Sequence, residues 1–133
     1  VVNPMTLRPN GAQQIFASEL VRLEVAAAGV LEARPFATGL RKMMWHDEVY
    51  IVAESMADDR GNFGCQLWLS TTRPYYKGGN ATVELNNVFL LLTEKRALIA
   101  RVTFKFLSIV FLVAHAPHWE YDSEEQIEKY WSD

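Results

Sequence analysis

Apolar residues Phe16, Leu20, Leu23 and Ala27 recur at helical spacing between Ala12 and Ala28, while Gln13, Glu19, Arg22 and Glu24 fall elsewhere on the wheel. The spacing predicts an amphipathic helix over 12–28. Asn10 stands where a side-chain oxygen can cap the first turn, and Gly29 where a helix stops. Before it, Asn3 to Leu7 reads as a short strand and residues 8–11 as a turn. After it, Val30 to Ala33 is a short apolar piece stopped by Pro35, and residues 36–47 read as irregular. Val49 to Glu54 and Cys65 to Ser70 form a predicted hairpin, joined by the turn residues Asp58, Asp59, Gly61 and Asn62. Residues 73–80 read as a loop. Val83 to Leu92 and Ala97 to Phe104 read as two strands around a polar turn at 93–96, with a helix over 85–92 as the alternative. The unbroken apolar run from Phe106 to Ala114 predicts a central strand buried on both faces. Ser123 and Gln126 form a capping box for a last helix, whose apolar side is Ile127, Tyr130 and Trp131. This order predicts an α+β domain with a mixed, mostly antiparallel sheet and flanking helices.

With 133 residues, half of them apolar and 22% charged, the chain is one folding domain, 1–133, with material for a core. Its single cysteine, Cys65, excludes an internal disulfide and a cysteine-based zinc site, and fits a reducing intracellular compartment or an organelle. The first residue is Val, which fits a processed or trimmed start. The longest apolar run is far short of the ~20 residues that span a bilayer, so no transmembrane segment is expected. Net charge is −3, unevenly spread: 6 basic and 8 acidic residues in 1–60, 6 and 2 in 61–118, and 1 and 6 in 119–133. The basic middle can favour a phosphate or an acidic neighbour. Overall the balance does not favour nucleic acid as partner, and such binding would rest on that middle segment and an exposed Tyr75-Tyr76 pair.

Four places carry candidate chemistry: Asn3 at a strand end, Glu32 within Val30-Leu31-Glu32-Ala33-Arg34, the glycine-rich hairpin 57–70, and Val113-Ala114-His115-Ala116-Pro117-His118. Each has a plain alternative. Glu32 can pair with a neighbouring arginine, His115 can be a satisfied core histidine, and Asp58 and Asp59 are turn formers. His115 and His118 could share a metal ion, but no third ligand is evident.

Taken in order, these stretches resemble the endonuclease/exonuclease/phosphatase superfamily, and are similar to the endonuclease domains of non-LTR retrotransposons. The resemblance rests on Asn3-Pro4-Met5-Thr6-Leu7, on Gly29-Val30-Leu31-Glu32-Ala33-Arg34, on residues 57–68, and on Val113 to His118 with Trp131. It implies a DNase I-like α/β/β/α sandwich and phosphodiester cleavage. By that resemblance Glu32 is a Mg²⁺ ligand, Asn3 orients metal and attacking water, and His115 falls where some members carry a histidine acid.

The family's later Gly-Asp-x-Asn and terminal Ser-Asp-His stretches do not occur here. The resemblance therefore implies the N-terminal half of the fold, with Asn3, Glu32 and His115 vestigial and no cofactor needed, or Mg²⁺ if active. If each half supplies one sheet, the sheet formed by residues 83–114 is left bare, to be covered by a protein partner or the missing half. The expected function is that of a catalytically incomplete nuclease-like domain serving as a structural or interaction subunit of a larger, possibly organellar, assembly. The alternative is a Mg²⁺-dependent endonuclease completed by further sequence or another chain.

Overall fold

The computed structural model describes residues 11–75 and 82–115. Asn3, Asn10, Tyr76, His118, Trp131, the first predicted strand and the last predicted helix lie outside them. Helix α1 spans Ala12–Arg22, with Gly11 at its N-cap position at φ 83°. It ends earlier than its apolar spacing suggests. Glu24 takes a left-handed φ of 56°. The Glu24 N–H donates to Val21 O at 3.1 Å and the Val25 N–H to Leu20 O at 3.0 Å. These two bonds close a Schellman turn with glutamate in the position usually held by glycine.

The residues released from the helix join strand β1 (Ala27–Leu31). Gly29, the expected helix stop, lies within it. A Cβ on Gly29 would sit 2.9 Å from Val113 Cγ2, so the glycine serves close strand approach instead.

Strand β2 (Gly39–Trp45) occupies the stretch expected to be irregular. It pairs with β3 (Glu48–Ser55) from Gly39↔Glu54 to Trp45↔Glu48. The two-residue turn His46-Asp47 depends on His46 at φ 52°, a conformation that histidine does not advertise in sequence. Strand β4 (Cys65–Ser70) pairs with β3 as the hairpin reading expected. Asp58 does what a turn former does: its Oδ1 accepts from the Arg60 and Asn62 N–H groups at 3.0 and 2.9 Å. A single 3-10 turn at Leu85–Asn87 precedes β5 (Val88–Glu94), so the segment is neither all strand nor helix. Strands β6 (Ala97–Thr103) and β7 (Ser108–Ala114) complete a meander.

Two sheets result, ordered β1-β4-β3-β2 and β5-β6-β7, and every described pairing is antiparallel. The protein is thus α+β with antiparallel sheets and, among the described residues, one helix. The first sheet is the middle layer. Its α1 side buries Ala28, Val30, Tyr50, Val52 and Trp68 with Ala17 and Leu20 of the helix. Its other side buries Ile51, Ala53, Leu67 and Leu69 against Val88, Leu98, Ala100, Val102 and Val113 of the second sheet. Covered on both sides, β3 and β4 carry the unbroken burial that the sequence suggested for 106–114.

Two expectations are corrected here. Strand β7 is not central: among the described residues it has one neighbour, β6, and Val110 and Leu112 are 59% and 64% exposed. Nor is the inner face of the 83–114 sheet bare, because residues 27–70 of the same chain supply the sheet that packs on it. What stays open is its outward face, where Phe89, Leu91, Val110 and Leu112 are exposed. No helix among the described residues is long and apolar enough to cross a membrane.

Candidate functional site

The last residue of β1, the entry to β4, the β5–β6 turn and the end of β7 meet at one rim of the sandwich. Main-chain hydrogen bonds tie them in series. The Ala33 N–H donates to Gly64 O at 3.2 Å and the Arg34 N–H to Phe63 O at 3.1 Å. The Gly64 N–H donates to Lys95 O, and the His115 N–H to Arg96 O, both at 2.7 Å. Glu32 and His115, far apart in sequence, are thereby brought to the same rim. Asn3, the third residue expected there, lies outside the described residues.

The rim is locally strained. Glu32, Arg34 and Phe63 adopt φ of 54°, 54° and 64°. Each such non-glycine residue costs on the order of 1–3 kcal/mol and persists where the surroundings fix it. Gly64, at φ 88°, is hemmed in: a Cβ would lie 2.6 Å from Pro35 Cδ and 3.1 Å from Ser55 O.

The side chains gather charge around one aromatic ring. The Arg96 guanidinium lies 4.7 Å and Lys95 Nζ 5.4 Å from the Phe63 centroid, within cation–π reach. The His115 ring centre lies 6.1 Å from that of Phe63. His115 Nδ1 is buried and accepts or donates no hydrogen bond among the described residues. Glu32 is half-buried, and its carboxylate makes no ion pair with a described residue; the arginine pairing considered for it is not formed. Among the described residues no three His, Cys, Asp or Glu side chains converge as metal ligands. Mg²⁺ does not require such a cage. It is commonly held by one or two carboxylates together with water and substrate phosphate oxygens, and the half-buried Glu32 carboxylate is of the kind that would supply one such ligand.

Beside the rim, on the α1 side, lies a polar network that the sequence reading missed. Glu54 Oε1 accepts from Arg41 Nη2 at 2.9 Å and from Gln66 Nε2. Gln66 Oε1 accepts from Trp68 Nε1, and Gln13 Oε1 from Arg41 Nη2, at 3.0 and 2.7 Å. The available signal was the placement of Glu54 and Gln66 within apolar strand runs, where a polar residue must find a partner.

Other candidates resolve plainly. Tyr75 is not an exposed stacking platform: its hydroxyl donates toward Ser70 O and Ala26 O at 2.6 and 3.0 Å, and its ring packs on Phe104 and Phe111. Cys65 is buried, and burial pushes its thiol up to about 11, an inert rather than a nucleophilic cysteine. A cavity of about 830 Å³ lies at the opposite end of the strands beside Val49, Thr71 and Leu85, away from this rim. Compared with family models, with curated proteins and with solved structures, the chain has no match in any of the three.

Proposed function

We propose that the chain is part of a DNase I-like, Mg²⁺-dependent phosphodiesterase acting on nucleic acid, with the rim of Glu32 and His115 as its reactive end. The observation that carries this reading is the convergence of those two residues through the 33–64–95 and 96–115 backbone bonds. The basic side chains Arg34, Lys95 and Arg96 on the same rim suit a phosphodiester anion. In this reading Glu32 would hold the divalent ion, which supplies charge stabilisation at the phosphate. His115 would hand a proton to the leaving oxygen, and Lys95 and Arg96 would orient the phosphate. Asn3 would help position metal and water. The general base and the remaining phosphate contacts would come from further sequence or another chain.

The test is nicking of supercoiled plasmid by the natural polypeptide with and without Mg²⁺. Glu32→Gln and His115→Ala should each lower the nicking rate by about 10²–10⁴, with circular dichroism unchanged. Nicking that is absent at high protein concentration, or indifferent to Glu32→Gln, would refute the proposal.

The open apolar face of Phe89, Leu91, Val110 and Leu112 favours a second reading, a non-catalytic subunit docked through that face. It requires that the isolated chain self-associate and that Val110→Asp relieve this in sedimentation. A monodisperse wild-type monomer would eliminate it.

A further inference from the structure

Lys95 and Arg96 make the tight turn between the paired strand ends Glu94 and Ala97. Lys95 is exposed, yet it is held through both its main chain and its side chain. Its carbonyl accepts from the Gly64 N–H at 2.7 Å, and the Cys65 thiol donates to the same oxygen at 3.8 Å. Its ammonium lies 5.4 Å from the centre of the Phe63 ring and forms no ion pair with a described residue. We infer that Phe63 is a positioning residue: its ring seats the Lys95 ammonium on the rim, where it meets a phosphate of the substrate. The inference rests on the phosphodiesterase reading given above and gives that reading a preorganised phosphate contact.

The backbone is bent to put the ring there. Phe63 has a φ of 64°, which a bulky side chain rarely adopts. The conformation is fixed from both sides: Phe63 O accepts from the Arg34 N–H at 3.1 Å, and Gly64 follows at φ 88°. Packing does not explain the aromatic, because among the described residues Phe63 belongs to neither buried cluster. Its neighbours are instead Lys95, the Arg96 guanidinium at 4.7 Å and the His115 ring at 6.1 Å. A strained aromatic surrounded by cations rather than by apolar side chains is a mark of use. Lys105 gives the contrast. Its ammonium lies 5.2 Å from the ring of Phe106, but that is its neighbour in sequence and 88% exposed, so the contact is local.

Seating changes what the lysine can do. A free lysine side chain carries large rotamer entropy and loses it when it binds an anion. An ammonium already drawn to a ring face has less to lose, so the phosphate contact forms at lower cost. The ring does not consume the charge. It attracts the ammonium through its quadrupole, and the three N–H donors of lysine can still turn to phosphate oxygens. The main-chain bonds from Ala33 to Gly64 and from His115 to Arg96 keep this seat on the rim of Glu32 and His115.

The experiment is a double-mutant cycle on the full chain, read as binding of a short fluorescein-labelled DNA duplex by anisotropy in metal-free buffer over a range of salt. Lys95→Met should weaken binding and lower the salt slope of log K by about one. Phe63→Leu, which keeps the bulk and removes the π face, should weaken binding about threefold to tenfold, and Phe63→Tyr should stay within about twofold of the wild type. In the Lys95→Met background Phe63→Leu should have no further effect, whereas a merely structural role would persist there. Carbon–proton spectra of the wild type should show the Lys95 ε-methylene protons shifted upfield by the ring, a reading that needs no variant to fold. An unshifted Lys95, no DNA binding, indifference to Lys95→Met or Phe63→Leu, or an undiminished Phe63→Leu effect without Lys95 would each overturn the inference. Binding is read without metal or cleavage, so the two failures separate. Plasmid nicking with a failed cycle sinks the seat alone, and a successful cycle without nicking sinks the catalytic reading alone.

Discussion

Replacing Gly64 by alanine tests the geometry that holds the rim together. Two costs add. The residue sits at φ 88°, where an L side chain costs roughly 1–2 kcal/mol. Its new Cβ would also lie 2.6 Å from Pro35 Cδ, 3.1 Å from Ser55 O and 3.2 Å from Ala57 N. Two of those three atoms are backbone and the third belongs to a proline ring, so none can swing aside, and overpacking of this kind costs about 1–3 kcal/mol. The expected loss is therefore about 2–5 kcal/mol, a large share of the ~5–15 kcal/mol of a typical domain. Gly11 provides the control: it has a similar φ of 83° but nothing within 4 Å of its added Cβ. Gly11→Ala should show the backbone cost alone. Urea unfolding followed by tryptophan fluorescence, which reports on buried Trp68, reads both variants. Gly64→Ala should unfold at least about 1 kcal/mol more easily than Gly11→Ala. Equal losses in the two variants would mean that the close contacts at Gly64 are not as described, and the rim built on them would fall with them.

Two further outcomes concern the core. Leu98→Ala, at a fully buried position between the sheets, should cost about 2–5 kcal/mol. Leu112→Ala, on the open face at 64% exposure, should stay within about 0.5 kcal/mol, and urea midpoints compare them. The Cys65 thiol, raised to about 11 by burial against a usual value of 9.0, makes stability fall at alkaline pH. The unfolded chain ionises this thiol first, so its contribution is intact below about 9 and is lost as pH rises toward about 11. Cys65→Ala should remove that part of the alkaline slope in pH-dependent melts.

The sequence was most legible where chemistry and burial agree. Cys65 to Ser70 and Val49 to Glu54 are mostly apolar because both faces are covered, and Asp58 with Gly61 and Asn62 names the turn between them. The end of α1 was hidden because its left-handed residue is Glu24 rather than a glycine, while the glycine that looked like a stop is needed for the approach of Val113. Strand β2 was hidden because it is half-exposed on both faces and turns on His46-Asp47. Strand β7 misled in the other direction, since an apolar outward face reads in sequence like an inward one. Of the candidate site, Glu32 and His115 were visible through motif resemblance. The Arg41–Glu54–Gln66 group was not, because it exists only through the register that sets Glu54 opposite Gln66.

The strand pairings differ in how far the chain must travel to make them. Trp45 meets Glu48, Glu94 meets Ala97 and Thr103 meets Ser108 after short turns, whereas Leu31 meets Cys65 only after the whole β2–β3 excursion. Closing the longer loop carries the greater entropic penalty. A species with every local hairpin in place but its β1 ribbon undocked would keep most of its far-ultraviolet signal and still lack the rim that carries Glu32 and His115. Secondary-structure content is for this reason a poor proxy for a competent preparation, and resonances from residues 27–34 are a better one.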